Sequence, residues 1–211
     1  MKLLIALDYL RGRGRVPVGD QRLLRVMLRS SDDKAATALW KRGGQGAIVR
    51  RQAARIGLRD TAPPPAALPG FWGYTALSAA DVVAVYRFLL ERAPARDREL
   101  VLGHLRRSTR CGTDGFDQSF GIPSATKRPW AVKQGWSGFG ERPVAPCRPA
   151  AEGLFRRVDL GLGRPVLHTT GLVEHERRIV VILTLQPAGA GFGESAARLT
   201  AFTRKIEKAA G

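Results

Sequence analysis

Apolar residues in the first half of the chain recur at helical spacing. Leu3, Leu7 and Leu10 fall on one face of a helix, and the basic, glycine-containing segment 11–15 ends it. Similar spacing, with capping residues before it and glycines after it, predicts further helices over about 21–29, 35–40, 45–57, 78–91 and 98–106. The proline-rich segment 61–73 lies between two of these helices and is predicted to be a loop.

The pattern changes beyond Cys111, where glycine and proline separate shorter apolar segments. Segments 167–173 and 179–185 are rich in β-formers and are joined by a polar turn, which predicts an antiparallel hairpin. Segment 195–209 returns to helical spacing. Helices first, strands later and a closing helix predict an α+β fold. Because the sequence contains no repeat and no linker, residues 1–211 are interpreted as one continuous domain.

The bulk composition is that of a globular protein with an unusual charge. Hydrophobic residues make up 44% of the chain, and the formal net charge is +17. A nucleic-acid binder needs clustered cations, whereas the arginines here are scattered without interleaved aromatic residues. We therefore expect a solvated basic surface and no specific nucleic-acid partner. Such a surface would also suit anionic cell-envelope polymers.

Cysteine and histidine spacing indicates no metal site. Cys111 and Cys147 are the only cysteines in the sequence and form no CxxC pair, and the three histidines lie far apart. The two cysteines form one disulfide if the protein is exported or stay as free thiols, and the sequence leaves both open. The apolar segment 1–10 is too short to span a membrane, and it lacks the basic region and cleavage site of a signal peptide.

Three short segments carry candidate chemistry. The first is Lys2 at the start of an apolar helix, and the second is Ser31-Asp32-Asp33 at the start of another. The third is Lys133-Gln134-Gly135-Trp136, which follows apolar residues and is predicted to lie on a strand. Taken alone, each is unremarkable: Ser31-Asp32-Asp33, for example, is also a good helix cap.

In order and setting, the three segments resemble the S-x-x-K, S-D-N and K-T-G motifs of class A β-lactamases and penicillin-binding proteins. Segment 71–81 and the Lys-x-Gly-Trp form of the third motif resemble secreted actinobacterial serine hydrolases. The resemblance covers essentially the whole chain. It implies a β-lactamase/transpeptidase-like fold, with a helical subdomain, an antiparallel sheet and a C-terminal helix.

The resemblance implies a role for each motif residue. Lys2 is similar to the lysine that helps to deprotonate the nucleophilic serine, and Ser31 to the serine that relays a proton to the leaving nitrogen. Lys133 is similar to the lysine that supports this relay and holds the substrate carboxylate. The nucleophile would stand three residues before Lys2. We therefore expect the chain to be truncated within S-x-x-K, without the family's N-terminal helix and strands, and to be inactive in this form.

The substrate-contacting positions keep part of the pattern. Gly135 would leave the strand approachable, and the Trp136 N–H would supply half of an oxyanion hole. Gln134 replaces the usual Thr or Ser, and Asp33 replaces an Asn whose amide normally donates to the substrate. The loop 61–74 contains no Glu to activate a deacylating water. These departures count against efficient lactam hydrolysis.

The leading hypothesis is therefore a serine hydrolase that forms an acyl-enzyme with β-lactams or D-Ala-D-Ala stem peptides. It needs no cofactor, acts as a monomer and, like the full-length family, is secreted or bound to the cell envelope. A non-catalytic envelope-binding relative is the first alternative, and a basic nucleic-acid-binding protein is the second. The sequence leaves open whether the substrate is an antibiotic or the cell wall.

Overall fold

The computed structural model describes residues 1–127, 129–140, 147 and 163–209. The chain falls into two compact units, residues 1–104 and 105–211, and each is described by itself. The interpretation of residues 1–211 as one domain remains a prediction. Within the described residues, no helix is both long enough and apolar enough to cross a membrane.

Unit 1 is helical. Its helices are α1 (Lys2–Leu10), α2 (Val18–Arg29), α3 (Asp33–Arg42), α4 (Gly46–Ile56), α5 (Ala79–Glu91) and α6 (Ala95–Leu105), which reaches the unit boundary. All the helices predicted from apolar spacing in this half are present. Helix α1 packs against α2, α3 and α4.

The core of unit 1 forms around α1, whose residues are nearly all buried. Trp40 and Tyr86 are its largest fully buried side chains, and Leu4, Leu24 and Leu39 are also fully or almost fully buried. Complete burial of a leucine-sized side chain is worth about 1.5–3 kcal/mol. This core therefore fixes α1, and with it the position of Lys2 at its first turn.

The segment between α4 and α5 is a loop, as its prolines predict. An isolated bridge between Ala62 and Ala76 closes its base, and a short 3₁₀ helix spans Trp72–Tyr74. The buried Asp81 carboxylate accepts hydrogen bonds from Arg59 N (3.1 Å), Asp60 N (2.8 Å) and Thr61 Oγ1 (2.6 Å). This carboxylate therefore anchors the start of the loop to the first turn of α5.

Unit 2 contains an antiparallel sheet in the order β1-β2-β3, followed by a long helix. Its elements are α7 (Ile122–Ala125), β1 (Ala131–Ser137), β2 (Val166–Val173), β3 (Arg178–Leu185) and α8 (Phe192–Ala209). The predicted hairpin is β2–β3, and the predicted terminal helix is α8. In the register, Lys133 lies opposite Thr170 and Gly135 opposite His168.

Aromatic and branched residues from the sheet, from α8 and from the loop before α7 form the core of unit 2. Phe192 contacts Phe116, Phe120 and Phe139, with ring centroids 4.7, 5.8 and 5.2 Å apart. Trp136 is partly buried against the same core. The β1 segment that carries Lys133 to Trp136 therefore rests on a packed layer of rings.

A disulfide joins Cys111 to Cys147, whose Cα atoms are 5.3 Å apart. This resolves the alternative that the sequence left open in favour of pairing. Cys111 also forms an isolated bridge with Asp117, and Gly112 N donates to Phe116 O at 2.9 Å. The disulfide is thus attached to the loop that lies against the ring of Trp136.

Candidate functional site

The candidate residues of unit 1 come together where α1 begins and α2 gives way to α3. Lys2 Nζ donates to Ser31 O at 2.5 Å, to Ser31 Oγ at 2.8 Å and to Asp33 Oδ1 at 2.7 Å. An ammonium group has three N–H donors, and these three acceptors match them. Lys2 and Ser31, two of the site residues predicted from the sequence, are therefore in direct contact.

The backbone at Ser31 is unusual for a residue with a Cβ atom. Its φ is +56°, in the left-handed region, directly after the α2 C-cap residue Ser30. Asp32 N donates to Val26 O, and Asp32 caps α3 by accepting from Ala35 N at 2.6 Å. The predicted cap is therefore present. The tight turn between the two helices presents both the carbonyl and the hydroxyl of Ser31 to Lys2.

The Lys2 ammonium is buried while its carboxylate partner faces water. The side chain of Lys2 is 9% exposed and that of Asp33 is 71% exposed. An ionised Asp at position 33 can only accept hydrogen bonds, whereas the Asn that it replaces in the motif donates to the substrate. In the structure one carboxylate oxygen accepts from Lys2, and no described contact makes Asp33 a donor.

Trp72 also belongs to this site, although no role for it was predicted from the sequence. Its ring centroid lies 5.0 Å from Lys2 Nζ, and its Nε1 donates to Thr37 Oγ1 at 3.1 Å. A cation over an aromatic face is attracted by the ring quadrupole. The available signal was the presence of Phe71, Trp72 and Tyr74 in a loop rich in Gly and Pro.

The second group of candidate residues lies on β1 in unit 2. Lys133 is buried, and its Nζ donates to the carbonyl oxygen of the next residue, Gln134, at 3.0 Å. Thr170 Oγ1 donates to Lys133 O at 2.7 Å, which ties this part of β1 to β2. The two motif groups thus belong to different units, and the roles assigned to them remain predictions.

The Gln134 side chain is buried within unit 2, whereas the motif resemblance suggested that it contacts the substrate. Its Nε2 donates to Phe120 O at 2.5 Å. Oε1 is also buried and has no hydrogen-bond partner in the described part of the protein. A buried acceptor without a partner costs about 1–3 kcal/mol. In this conformation, the amide is occupied by the unit's own backbone and is not presented to a substrate carboxylate.

Trp136 and Gly135 are held by neighbours that the sequence did not reveal. Trp136 Nε1 donates to Asp114 Oδ2 at 2.8 Å, and a Cβ on Gly112 would lie 3.0 Å from the Trp136 ring. A Cβ on Gly135 would meet the His168 ring at an ordinary 3.6 Å. Small size at Gly135 is therefore not required by contacts within unit 2, whereas Gly112 is needed for the packing of Trp136.

His168 supports β1 from the next strand. Its Nδ1 accepts a hydrogen bond from Thr184 N at 3.1 Å. Burial lowers the pKa of His168 to about 4, so the ring is neutral at physiological pH. A neutral ring is also what its role as acceptor requires. Within the described residues, no group of three His, Cys, Asp or Glu side chains is arranged to hold a metal ion.

The fold assembled from these units is that of class A β-lactamases. A class A β-lactamase from Mycobacterium abscessus matches 99% of this chain and 82% of its own, with a TM-score of 0.64 and 17% identity. PBP-A gives a TM-score of 0.64 at 14% identity, over 99% of this chain and 78% of its own. The predicted α+β, β-lactamase-like fold is therefore confirmed.

Sequence comparison adds a nearer relative. The chain is 38% identical over 197 residues to "Putative lipoprotein LppW" of Mycobacterium tuberculosis and of Mycobacterium bovis. The match covers 89% of this chain and 55% of those proteins, so the chain spans about half the length of the curated relatives it matches. No protein-family model matches the chain.

Proposed function

We propose that this chain is the acyl-transfer domain of a cell-envelope serine hydrolase of the penicillin-binding type. It would act on β-lactams or on D-Ala-D-Ala stem peptides through an acyl-enzyme. The observation that carries the proposal is the 2.8 Å contact between Lys2 Nζ and Ser31 Oγ, in a chain with the class A β-lactamase fold. The name of the LppW relatives supports a location at the cell envelope.

In this proposal each motif residue has one task. A serine three residues before Lys2, a position outside the 211 residues, attacks the carbonyl carbon. For this step Lys2 must be the neutral amine, its third ammonium proton having gone to solvent, and it then takes the serine proton. Ser31 gives its hydroxyl proton to the leaving nitrogen and receives one from Lys2, to which its Oγ is hydrogen-bonded. Lys133 attracts the substrate carboxylate, and the Trp136 N–H donates to the oxyanion. A polypeptide of residues 1–211 without that serine should bind the substrate and form no covalent acyl bond with it.

The test supplies the serine and keeps everything else constant. Residues 1–211 preceded by Ser-Ala are compared with residues 1–211 preceded by Ala-Ala, using a fluorescent penicillin and a denaturing gel. The Ser-Ala chain should label, and the Ala-Ala chain and residues 1–211 alone should not. Lys2→Met in the Ser-Ala chain should reduce the labelling rate at least 100-fold, within the range of general-base effects. Circular dichroism establishes that each chain is folded.

The lifetime of the penicillin adduct tests whether the chain can hydrolyse it without a glutamate in the loop. Loop 61–74 contains no Glu to activate water, so the adduct should persist for hours instead of turning over. Asp33→Asn should raise the labelling rate, because an amide donor returns to the position facing the substrate. A folded Ser-Ala chain that never labels contradicts the proposed chemistry.

The second candidate is a non-catalytic envelope-binding relative with the same fold. Two observations favour it: the Asp33 carboxylate is paired with Lys2, and the Gln134 amide is bonded to Phe120 O. Both groups are engaged within their own unit. This candidate predicts that neither the Ser-Ala chain nor its Asp33→Asn variant labels.

A further inference from the structure

Unit 1 carries a group of arginines that has no part in the Lys2 site. They lie at the C-terminal ends of α1, α4 and α5 and at the start of α6. We call them the arginine surface: Arg11, Arg13, Arg55, Arg92 and Arg96. All are exposed except Arg55, which is half-buried. The surface concentrates like charge in one part of the unit.

Two of these arginines share one aromatic ring. The guanidinium carbons of Arg55 and Arg92 lie 4.7 and 5.3 Å from the centroid of the Phe88 ring. Arg92 also donates to Ile56 O at 3.3 Å and to Arg55 O at 3.0 Å, which ties it to the end of α4. The two positive charges are therefore fixed close together by packing and by backbone bonds.

Arg13 and Arg96 are joined to each other just beyond the end of α1. Arg13 Nε donates to Tyr9 O at 2.7 Å, and its guanidinium lies 4.4 Å from the centroid of the Tyr9 ring. Arg96 donates to Arg13 O at 2.6 Å. Burial lowers the pKa of Arg55, and the charge of Arg11 lowers it further. Arg11 and Arg92 therefore both lie close enough to Arg55 for their charges to repel.

Acidic groups nearby do not balance the surface. Asp97 is buried, and burial raises its pKa although Arg96 and Arg55 act in the opposite direction. Glu91 is exposed beside Arg92 in sequence, and Asp8 is bonded to Arg51. Asp20 also lies close enough to act on Arg13, but it is bonded to Arg42. Asp8 and Asp20 each already have an arginine partner outside the surface, which leaves Asp97 and Glu91 against five guanidiniums. Helix-end bonding uses one or two of the five N–H donors of a guanidinium, so most donors remain directed to solvent.

The chemistry of this surface selects among anionic partners. Single-stranded nucleic acid binds through exposed aromatic rings that stack on bases. Here the rings of Tyr9 and Phe88 are buried beneath guanidiniums and offer no such platform. Val18 is 79% exposed and follows the basic segment 11–15 closely in sequence. A basic segment followed closely by an exposed apolar residue suits the boundary between phosphate headgroups and acyl chains.

We propose that the arginine surface docks unit 1 on an anionic phospholipid bilayer, with guanidiniums on the lipid phosphates. Each basic residue close to such a surface is worth about fivefold in binding, and the effect decays within a Debye length. This docking is independent of acyl-enzyme chemistry. A chain that fails to label with penicillin can still bind vesicles, so the two proposals fail separately.

The test is sedimentation of residues 1–211 with vesicles of phosphatidylglycerol and phosphatidylcholine, or of phosphatidylcholine alone. Arg11→Gln/Arg96→Gln removes two charges from the arginine surface. The matched control Arg22→Gln/Arg25→Gln removes two exposed charges from α2. Arg11→Lys/Arg96→Lys keeps the charge and shows whether the positions tolerate substitution. Thermal unfolding establishes that all the chains are folded.

The proposal predicts binding to the anionic vesicles alone and its loss at high salt. Arg11→Gln/Arg96→Gln should weaken it about 25-fold. The control pair should weaken it less than about fivefold, and the lysine pair should keep most of it. Absence of binding to anionic vesicles overturns the proposal, as does equal weakening by both glutamine pairs. Tighter retention on duplex DNA than on vesicles, lost in the same variant, assigns the surface to nucleic acid instead.

Discussion

Replacing Ser31 by Ala and by Gly separates the strain at this residue from the contact that its hydroxyl makes. Both substitutions remove the Oγ acceptor of Lys2, a loss of about 1.5–3 kcal/mol for a bond to a charged group. They differ in the backbone, because φ is +56° at Ser31. A left-handed backbone costs an L-residue about 1–2 kcal/mol that Gly does not incur.

The unfolded chain works in the opposite direction. Gly is more flexible than Ala when unfolded, which disfavours the Gly variant by about 0.4–1 kcal/mol. Subtracting the midpoints of these two ranges, about 1.5 and about 0.7 kcal/mol, predicts that Ser31→Gly is more stable than Ser31→Ala by about 0.8 kcal/mol. Urea unfolding followed by circular dichroism measures the difference in the free energy of unfolding.

The neighbouring residue supplies the control. Ser30 has a φ of −111°, which residues with a Cβ atom adopt freely. At this position only the unfolded-state effect remains, so Ser30→Ala should be more stable than Ser30→Gly by about 0.4–1 kcal/mol. The order of Ala and Gly should therefore reverse between the two serines. The same order at both positions refutes the left-handed backbone at Ser31 and the geometry that presents its carbonyl and hydroxyl to Lys2.

Three further predictions concern elements that support the site. Asp81→Asn should lower the free energy of unfolding by about 2–3 kcal/mol in urea denaturation, because an amide NH₂ would face donors of the anchored loop; an unchanged stability contradicts that anchor. The pKa of His168 is lowered to about 4, so the unfolded chain binds a proton at this residue more readily than the folded chain does. The free energy of unfolding should therefore fall by up to about 3 kcal/mol as pH drops from about 6.5 to 4. His168→Gln should flatten that pH profile. Reducing the Cys111–Cys147 disulfide, which spans 36 residues, should cost about 4 kcal/mol of stability in unit 2, measured with and without reductant.

The sequence predicted the elements better than the contacts between them. Apolar spacing located the helices of unit 1, and two segments rich in β-formers on either side of a polar turn located the β2–β3 hairpin, because both signals are local. The order of the three motifs predicted the fold, although each motif alone is ambiguous. The fold match at 14–17% identity shows that the fold is kept although most residues differ.

What the sequence missed depends on chain segments that meet only after folding. The cation–π contact of Trp72 with Lys2 and the turn of Gln134 towards Phe120 O join residues that are distant or unpatterned in sequence. Ser31 gives no sign of a left-handed backbone, because serine is not enriched there as Gly and Asn are. The pairing of the cysteines was likewise undetermined, since two thiols are equally compatible with the composition.

The central claim is that Lys2 and Ser31 form the proton-transfer pair of an acyl-transfer site. The most direct measurement is the intact mass of the Ser-Ala chain after incubation with benzylpenicillin, followed by peptide mapping. The account predicts a mass gain of one penicilloyl group on the added serine, slowed at least 100-fold by Lys2→Met and reduced by Ser31→Ala. A folded Ser-Ala chain that gains no mass, or one that gains it equally fast in the Lys2→Met variant, contradicts the claim.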